Sequence, residues 1–328
     1  MELQLKNIGM IKEANVKIDG LTVIAGENDT GKSTVGKALY VVMNTIEVEY
    51  ITSKLPFDSE IELHKKFLME KIFKQNDLLN DSSICLLNYN GEICLKKDIV
   101  HIDNNGVNNI QLADFIFIET PLVWNFKKLF GEILHVESKM KIELDYPHLM
   151  KDLNFKLSIK SQSNGIDIKD EIISLINGKF DQDEKAEFFF NKNGKRIELI
   201  NTATGIKYFG ILQVLSQNNY LNENTVLVLD EPEVHLHPKW QLEMAKIIVE
   251  LVKNGVKIVV NSHSPYMIEA LERYAEKAEV PADFYLAEDG FIYKVEDNNS
   301  KTLAKIFNKL LAPYEIFNQM DSETLKGG

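Results

Sequence analysis

The sequence feature that most constrains this chain is a glycine-rich loop between an apolar run and a helix-forming stretch. The loop from Gly26 to Ser33 (GENDTGKS) has the spacing Gly-x-x-x-x-Gly-Lys-Ser. Glycines permit a tight turn in which successive N–H groups point at phosphate oxygens. The apolar run Leu21–Ala25 predicts a buried strand, and Val35–Met43 predicts a helix whose N-terminus favours an anion. A chance match would lack this context, so we predict a nucleoside triphosphate site.

Two side chains of this loop have specific expected roles. Lys32 is expected to reach the β- and γ-phosphates of ATP, and the Ser33 hydroxyl is expected to be a ligand of Mg²⁺. The complete predicted nucleotide-binding set of the loop is Gly26, Glu27, Asn28, Asp29, Thr30, Gly31, Lys32, Ser33 and Thr34.

A second apolar run, 226–229, ends in the adjacent carboxylates Asp230 and Glu231. Open α/β folds bind ligands at the edge where parallel strands end. Two neighbouring carboxylates are unfavourable unless a cation or proton lies between them, which fits a metal. We therefore predict that Asp230 holds Mg²⁺, directly or through water, and that Glu231 polarises the attacking water. The alternative is an ordinary acidic exit from a strand, and the glycine-rich loop in the same chain makes it the weaker interpretation.

Three histidines follow apolar strands. His263 comes after the predicted strand 256–260, which is expected to lie beside the strand that ends in Asp230. This position suits a hydrogen bond to the γ-phosphate or the attacking water, although a lone histidine after a strand is more often structural. His235 and His237 lie two residues apart, but no cysteine or further histidine spacing supports zinc. We interpret them as packing or interface residues.

A helix is predicted from Thr204 to Leu215, with threonine as its N-cap and Gly205 beside it. Hydroxyl groups and a glycine at a helix N-terminus can form an anion site. For this segment alone, a plain capped helix is the simpler interpretation.

Bulk composition limits the partners. Lys and Arg total 37 against 49 Asp and Glu, which gives a net charge of −12. This argues against a broad basic surface for nucleic acid, but a local groove remains open. A modest basic cluster is formed by Lys127, Lys128, Lys139 and Lys141. A solvated face is the simpler interpretation of this cluster, and DNA binding is the alternative.

The cysteines and the apolar runs indicate the compartment. Cys85 and Cys94 flank a predicted turn without metal-ligand spacing, so we interpret them as reduced packing residues. No secretory signal or apolar stretch of membrane-spanning length is present in the sequence. The chain is therefore predicted to be cytoplasmic, without a membrane partner.

Turn signals predict three hairpins, around Asn90-Gly91, Asn193-Gly194 and Asp289-Gly290. Asn105-Gly106 marks a further turn, and 113–119 is predicted to be a buried strand. The predicted hairpin strands are 84–89, 92–100, 185–190 and 196–200. Helices are predicted around 124–134 and 170–177 in the otherwise undetermined stretch 122–180.

Four segments, in chain order, are similar to one superfamily: GENDTGKST (26–34), ATGIK (203–207), LVLDEPEVHLHP (227–238) and NSHSP (261–265). They resemble an ABC-type ATPase head of the RecF, SMC and OLD kind, among the AAA-family ATP-binding proteins. The resemblance implies an α/β P-loop NTPase fold with an ABC-ATPase-type core, in which a mostly parallel central sheet carries an antiparallel β subdomain. The head is expected to comprise 1–120 and 181–328, with an inserted α-rich lobe at 121–180.

The resemblance also implies roles and a mechanism. Asp230 corresponds to the Walker B metal ligand, Glu231 to the catalytic base and His263 to the switch histidine. Thr204, Gly205 and Lys207 stand at the signature motif, which contacts the γ-phosphate of ATP bound to the other protomer. The implied mechanism is ATP-driven dimerisation of two heads with two nucleotides between them, reopened by hydrolysis, with ATP and Mg²⁺ as cofactors.

Three positions depart from the family pattern. The signature is ATGIK rather than a Ser-Gly-Gly form, and Asp29 stands where the loop usually has glycine. No glutamine follows the strand 115–119, where the family has its Q-loop. Glu119 and Gln111 are the candidates for that place.

These features favour an ATPase that controls a nucleic-acid maintenance or anti-phage defence complex. Long coiled-coil arms are absent from the sequence, and the stretch after His263 is too short for a Toprim nuclease and has no Asp-x-Asp. We therefore expect a separate effector protein, a nuclease or a toxin. The alternative is a slow-turnover, nucleotide-gated scaffold that holds such a partner. A small-molecule kinase is disfavoured because the sequence has no recognisable acceptor site or lid arginines.

Overall fold

The computed structural model describes residues 1–52, 58–88, 91–102, 114–141 and 147–326. The elements of its first half are β1 (Glu2–Ile8), β2 (Ile11–Lys17), β3 (Leu21–Ala25), α1 (Lys32–Thr52), α2 (Asp58–Phe73), β4 (Ser83–Asn88), β5 (Gly91–Lys96), β6 (Ile99–Ile102), β7 (Phe115–Ile118), α3 (Val123–Met140), α4 (His148–Ser158) and α5 (Lys169–Ile176). Those of the second half are β8 (Lys179–Gln182), β9 (Phe188–Lys192), β10 (Lys195–Glu198), α6 (Thr204–Gln217), β11 (Val226–Asp230), α7 (Pro238–Lys253), β12 (Lys257–Ser262), α8 (Pro265–Ala278), β13 (Ala282–Glu288), β14 (Phe291–Tyr293) and α9 (Asn299–Lys326).

One large sheet has the strand order β6-β5-β4-β1-β2-β14-β13-β3-β12-β11-β7. From β13 to β7 every neighbouring pair is parallel. The strands β2, β1, β4, β5 and β6 pair antiparallel. This arrangement confirms the predicted fold class, a mostly parallel central sheet with an antiparallel β part. A small separate sheet has the order β10-β9-β8.

The central strands are apolar on both faces because helices cover both sides of a parallel sheet. Successive side chains of a strand point to opposite faces. Val23 of β3 accordingly packs in a cluster with residues of α6, α7 and α8. Its neighbour Ile24 packs in a second cluster with Val35 and Leu39 of α1. The sheet is thus held rigidly between two helical layers.

Strand register brings three functional loops to one edge of the sheet. β12 lies between β3 and β11, so that Asn261 is opposite Asp230 and Ser262 is opposite Ala25. The predicted neighbourhood of the strands that end near Asp230 and His263 is therefore confirmed. The loops that follow β3, β11 and β12 meet at the carboxyl ends of these strands.

The predicted strand 92–100 is wrong as one element. β5 ends at Lys96, and Asp98 adopts a left-handed conformation with φ of 53° before β6 begins. Aspartate tolerates this conformation better than most residues. The N–H of Asp98 also donates to Oδ2 of Asp77 at 3.0 Å, which holds the turn. Residues 89–90 and the predicted turn at Asn105-Gly106 lie outside the described residues.

The prediction that the cysteines are reduced is also wrong, because the structure joins Cys85 and Cys94 in a disulfide. The two residues lie directly opposite each other on the antiparallel strands β4 and β5. Their Cα atoms are 4.1 Å apart, and both side chains are buried. Without this register the sequence could not indicate the pairing.

The stretch 121–180 contains α3 and α5 near the predicted helices, and also α4, which had not been predicted. The division into a head and an inserted lobe stays a prediction. Thr204 is the first residue of α6, and the N-cap is Ala203 rather than threonine. No helix of the described residues is long and apolar enough to span a membrane.

Candidate active site

The loop after β3 has a backbone that its residue types explain. Gly31 has φ of +89°, and a Cβ at Gly26 would lie 2.4 Å from the carbonyl oxygen of Ala287. Asp29, which stands where the family usually has glycine, has φ of 64°. Aspartate is among the few residues that visit this left-handed region readily. Asp29 therefore adopts a backbone conformation that glycine also reaches readily.

Lys32 closes this loop on itself. Its ammonium donates to the carbonyl oxygen of Gly26 at 3.0 Å and to that of Glu27 at 2.7 Å. Burial lowers the pKa of Lys32, and the charges of Glu231 and Asp230 oppose that shift. An ammonium held only by neutral carbonyls can exchange them for phosphate oxygens, which are stronger acceptors.

Asp230 is at the centre of the site and is buried. The hydroxyl of Ser33 donates to its Oδ1 at 3.0 Å, and Nδ2 of Asn261 donates to the same oxygen at 2.8 Å. The structure thus brings together the two predicted metal ligands, Ser33 and Asp230. Asn261 was missed as a separate functional residue, although it directly precedes the Ser-His-Ser segment that the sequence singled out.

The electrostatics around Asp230 fit a divalent cation. Burial is the main cause that raises its pKa; hydrogen bonds from Asn261 and Ser33 oppose the shift, and the charges of Glu231 and Glu119 add to it. Oδ1 of Asn261 is buried without a hydrogen-bond partner among the described residues. Carboxylate, amide and hydroxyl oxygens that lie together in this way are hard oxygen donors of the kind that Mg²⁺ takes.

Glu231 adopts a left-handed conformation, with φ of 49°, directly after β11. Its N–H donates to the carbonyl oxygen of Asn261 at 2.9 Å, which holds this turn. Its side chain is about one-third exposed, and Oε1 lies 3.3 Å from Nδ1 of His263. The structure therefore brings the predicted base and the predicted switch histidine to one point. Glu231 and His263 do not form a hydrogen bond, and Nδ1 of His263 has no hydrogen-bond partner among the described residues.

Glu233 is a buried residue of the site that sequence reasoning missed. Its Oε1 accepts hydrogen bonds from the loop that carries His263, and it lies 3.5 Å from Nδ1 of that histidine. The available signal was the second glutamate of the Asp-Glu-Pro-Glu run, which also resembles an ordinary polar turn.

The predicted signature residues lie at the start of α6. Its N-cap, Ala203, provides no side-chain hydrogen bond, so the first-turn N–H groups have no side-chain cap. Lys207 is buried, and its ammonium donates to Oδ1 of Asn125 at 2.9 Å. The indole N–H of Trp124 donates to the backbone carbonyl of Lys207 at 2.9 Å. Lys207 is thus engaged with α3 in this conformation and is not presented with Thr204.

The remaining candidates have distinct surroundings. Glu119 follows β7, the strand beside β11, and lies 3.5 Å from the ammonium of Lys37. Gln111 lies outside the described residues. Nδ1 of His237 accepts from the N–H of Lys239 at 3.3 Å and caps α7. His235 is exposed, and no metal-binding group found among the described residues includes it or His237.

The four lysines of the basic cluster differ in exposure. Lys127 is half-buried, and its ammonium lies 4.8 Å from the ring centroid of Phe188 and donates to Ser158 Oγ at 2.5 Å. The other three lysines, Lys128, Lys139 and Lys141, are exposed. The cluster therefore offers three rather than four free-standing charges to a partner, and DNA binding stays an untested alternative.

Comparison with known proteins supports an ATPase. Residues 125–268 match the AAA ATPase domain family. The Septu protein PtuA of Bacillus thuringiensis is 23% identical over 311 residues, covering 82% of this chain and 72% of that protein. The "Retron Ec83 probable ATPase" of Escherichia coli is 23% identical over 199 residues, covering 54% of this chain and 36% of that protein. A solved Smc head domain of Pyrococcus furiosus has a TM-score of 0.48 at 13% identity, covering 94% and 98% of the two chains.

The AAA ATPase domain match and the two defence relatives support an ATPase as the class of the protein. The predicted resemblance and the predicted ATPase activity are thereby confirmed. The AAA ATPase match includes Asp230, Glu231 and His263, and the glycine-rich loop 26–34 precedes it. The chain spans 72% of its Septu relative and about one-third of its retron relative.

Proposed function

We propose that two copies of this chain bind ATP between their heads and separate when ATP is hydrolysed. The observation that carries the proposal is the division of the site within one chain. Ser33, Asp230 and Asn261 form a connected group at the edge of the sheet. The start of α6 has no side-chain cap and no described hydrogen bond to that group. A helix N-terminus without a cap is suited to an anion supplied by another molecule.

Nucleotide binding in this proposal uses residues of the chain's own loop. Lys32 would exchange the carbonyl oxygens of Gly26 and Glu27 for phosphate oxygens, and the N–H groups of the loop would bind the remaining phosphate oxygens. Ser33 and Asp230 would hold Mg²⁺. When bound, Mg²⁺ neutralises phosphate charge during phosphoryl transfer.

Hydrolysis requires a water molecule beside the γ-phosphate. Glu231 is partly exposed at the end of its strand and would orient and polarise this water. His263, with Nδ1 3.3 Å from Oε1 of Glu231, would hold the carboxylate and respond to the γ-phosphate. The second copy would contribute the first-turn N–H groups of Thr204 and Gly205. A direct contribution from Lys207 would require it to leave Asn125.

The biological role that we propose is control of an anti-phage defence complex with a separate effector, a nuclease or a toxin. Similarity to a Septu protein and to a retron ATPase supports defence over general nucleic-acid maintenance. The effector and any DNA partner are parts of this proposal.

The test is the mass in solution with and without ATP and Mg²⁺. We expect ATP to double the mass of the Glu231→Gln variant, because the variant binds ATP but cannot activate water. Wild type should double only transiently, and Lys32→Ala should not respond. A Glu231→Gln variant that binds ATP and keeps its mass would contradict dimerisation.

A second candidate, the slow-turnover scaffold, is favoured by the engagement of Lys207 with Asn125. A signature lysine that must break a buried contact before it can act would slow each cycle. The two candidate functions differ in whether a partner increases the rate of ATP hydrolysis. A switch should hydrolyse ATP faster with its co-expressed neighbour or DNA, whereas a scaffold should hydrolyse it at the same low rate in each case.

A further inference from the structure

Glu233 and Asp230 are the two buried carboxylates of the described residues. Oε1 of Glu233 accepts three hydrogen bonds, all from the segment that carries the switch histidine. The donors are the hydroxyl of Ser262 at 2.7 Å, the N–H of His263 at 2.9 Å and the N–H of Ser264 at 3.2 Å. A carboxylate that binds three consecutive residues fixes the backbone from which the imidazole projects.

The other side of the same segment is held by α7. The hydroxyl of Ser264 donates to Oε1 of Gln241 at 2.6 Å, and Nε2 of Gln241 donates to the carbonyl oxygen of Leu236 at 3.1 Å. Leu236 in turn lies against Gly205, where a Cβ would be 2.7 Å from Cδ2 of the leucine. The loop of His263 is therefore anchored in the same packing that seats the start of α6.

Besides Oδ1 of Asn261, two further buried oxygens have no hydrogen-bond partner among the described residues and bear on this anchor. One is Oε2 of Glu233 and the other is the hydroxyl of Tyr208, on the second turn of α6. Burial raises the pKa of Tyr208 well above its usual value, and the charges of Asp230 and Glu233 raise it further. The hydroxyl is thus protonated, and it lies within electrostatic range of Glu233 without a direct hydrogen bond to it. Buried polar groups left in this way are usually bridged directly or by an ordered water.

We propose that Glu233 is the positioning residue of the switch histidine, held by its three hydrogen bonds to the segment 262–264 and linked through an ordered water to the Tyr208 hydroxyl of α6. The carboxylate would fix His263 against Glu231, and Tyr208 would tie that geometry to the helix that carries the signature. This inference rests on the proposed role of His263 in hydrolysis.

The first experiment compares single-turnover hydrolysis and ATP affinity for Glu233→Ala, Glu233→Gln and the surface control Glu269→Ala. We expect Glu233→Ala to hydrolyse ATP about 100-fold more slowly with unchanged ATP affinity, because a misplaced group costs about that factor. Glu233→Gln keeps an oxygen acceptor and should recover most of the rate. Equal rates for wild type and Glu233→Ala would overturn the proposal, as would equal losses in both Glu233 variants.

The second experiment asks whether Glu233 acts through the histidine. The double variant Glu233→Ala/His263→Ala should hydrolyse ATP no more slowly than His263→Ala alone. Losses that multiply would show an independent role and overturn the proposal. If Glu233→Ala does not melt cooperatively, Ser262→Ala replaces it, since it removes one of the three donors. A several-fold slower rate supports the proposal, and an unchanged rate contradicts it.

The third experiment uses Tyr208→Phe, which removes only the hydroxyl. We expect a several-fold loss of rate in wild type and no further loss in the Glu233→Ala background. A Tyr208→Phe variant as fast as wild type would contradict the proposed link between Glu233 and α6.

Glu231→Gln is measured in parallel. If Glu231→Gln still hydrolyses ATP, the proposed function fails; if it is inactive while Glu233→Ala is fast, only this inference fails.

Discussion

The carboxyl edge of the sheet, here called the loop edge, contains Lys32, Ser33 and Asp230. It differs from the start of α6 in how the polar groups find hydrogen-bond partners. At the loop edge, Lys32, Ser33 and Asp230 all have partners within the chain. At the start of α6, no described side chain caps the first turn, and Lys207 is turned towards Asn125. The first region is preorganised for a ligand of its own, whereas the second is suited to a ligand that arrives from outside.

This difference predicts separable defects. Changes at the loop edge should reduce ATP affinity in a single chain. Changes at the start of α6 should leave that affinity intact and reduce only the steps that need a second copy.

The largest effect is expected for Lys32→Ala. Loss of hydrogen bonds from a charged donor costs about 1.5–3 kcal/mol, so ATP affinity should fall on the order of 100-fold. Isothermal titration with ATP and Mg²⁺ measures this, and the control is Lys246→Ala, which removes an exposed lysine paired with Glu243 on α7. Similar affinities for the two variants would place the nucleotide elsewhere.

In contrast to Lys32→Ala, the variant Gly205→Ala is expected to keep its ATP affinity and to hydrolyse ATP more slowly. The new Cβ would lie 2.7 Å from Cδ2 of the buried Leu236, so the start of α6 must shift. Overpacking of this kind costs about 1–3 kcal/mol, and we expect steady-state hydrolysis to fall roughly tenfold with unchanged ATP affinity.

The control for this prediction is Gly131→Ala, because a Cβ at Gly131 meets nothing within 4 Å. This variant should hydrolyse ATP at the wild-type rate. A Gly205→Ala variant with weakened ATP affinity would mean that the two regions are not separable within one chain.

Prediction from sequence brought together the right residues where their placement depends on local spacing. The glycine-rich loop and the Asp230-Glu231 pair needed only their own residues and the strands before them. It failed where function depends on pairing between distant segments. Glu233 resembles any polar turn residue until β12 is placed beside β11, and the Cys85–Cys94 bond requires the register of β4 and β5.

Lys207 shows that a contact with a distant segment can also hold a predicted site residue away from the site. The sequence placed it in a signature motif because of its neighbours, but the structure buries it against α3. The contact depends on Trp124 and Asn125, more than 80 residues earlier, in the stretch where sequence reasoning was weakest.

A smaller effect at the loop edge is expected from Asp29. Its left-handed backbone is accessible to glycine and asparagine, whereas a β-branched residue there costs about 1–2 kcal/mol. Asp29→Val should therefore bind ATP roughly five- to thirtyfold more weakly. Asp29→Gly and Asp29→Asn should bind at least as tightly as wild type, as measured by titration. Weak binding by Asp29→Asn with normal binding by Asp29→Gly would indicate that the side chain acts by charge or contact instead.

The smallest effect concerns protein stability and Lys127 of α3, whose ammonium lies against Phe188 and Ser158. Burial lowers the pKa of its ammonium to about 8 from 10.5, so the unfolded chain binds a proton more readily than the folded chain between these values. Stability from this group therefore rises as the pH increases from about 8 to 10.5. Below pH 8 the folded state must keep a desolvated charge. Lys127→Met removes that cost, and we expect a melting temperature roughly 2 °C higher at pH 7. The gain should disappear above pH 10.5.

Thermal melts across this pH range measure the gain, with Lys128→Met, at the exposed neighbouring residue, as the control. A gain independent of pH would show that packing around Lys127, rather than its charge, causes the stabilisation. A gain in Lys128→Met as well would show that the effect comes from net charge.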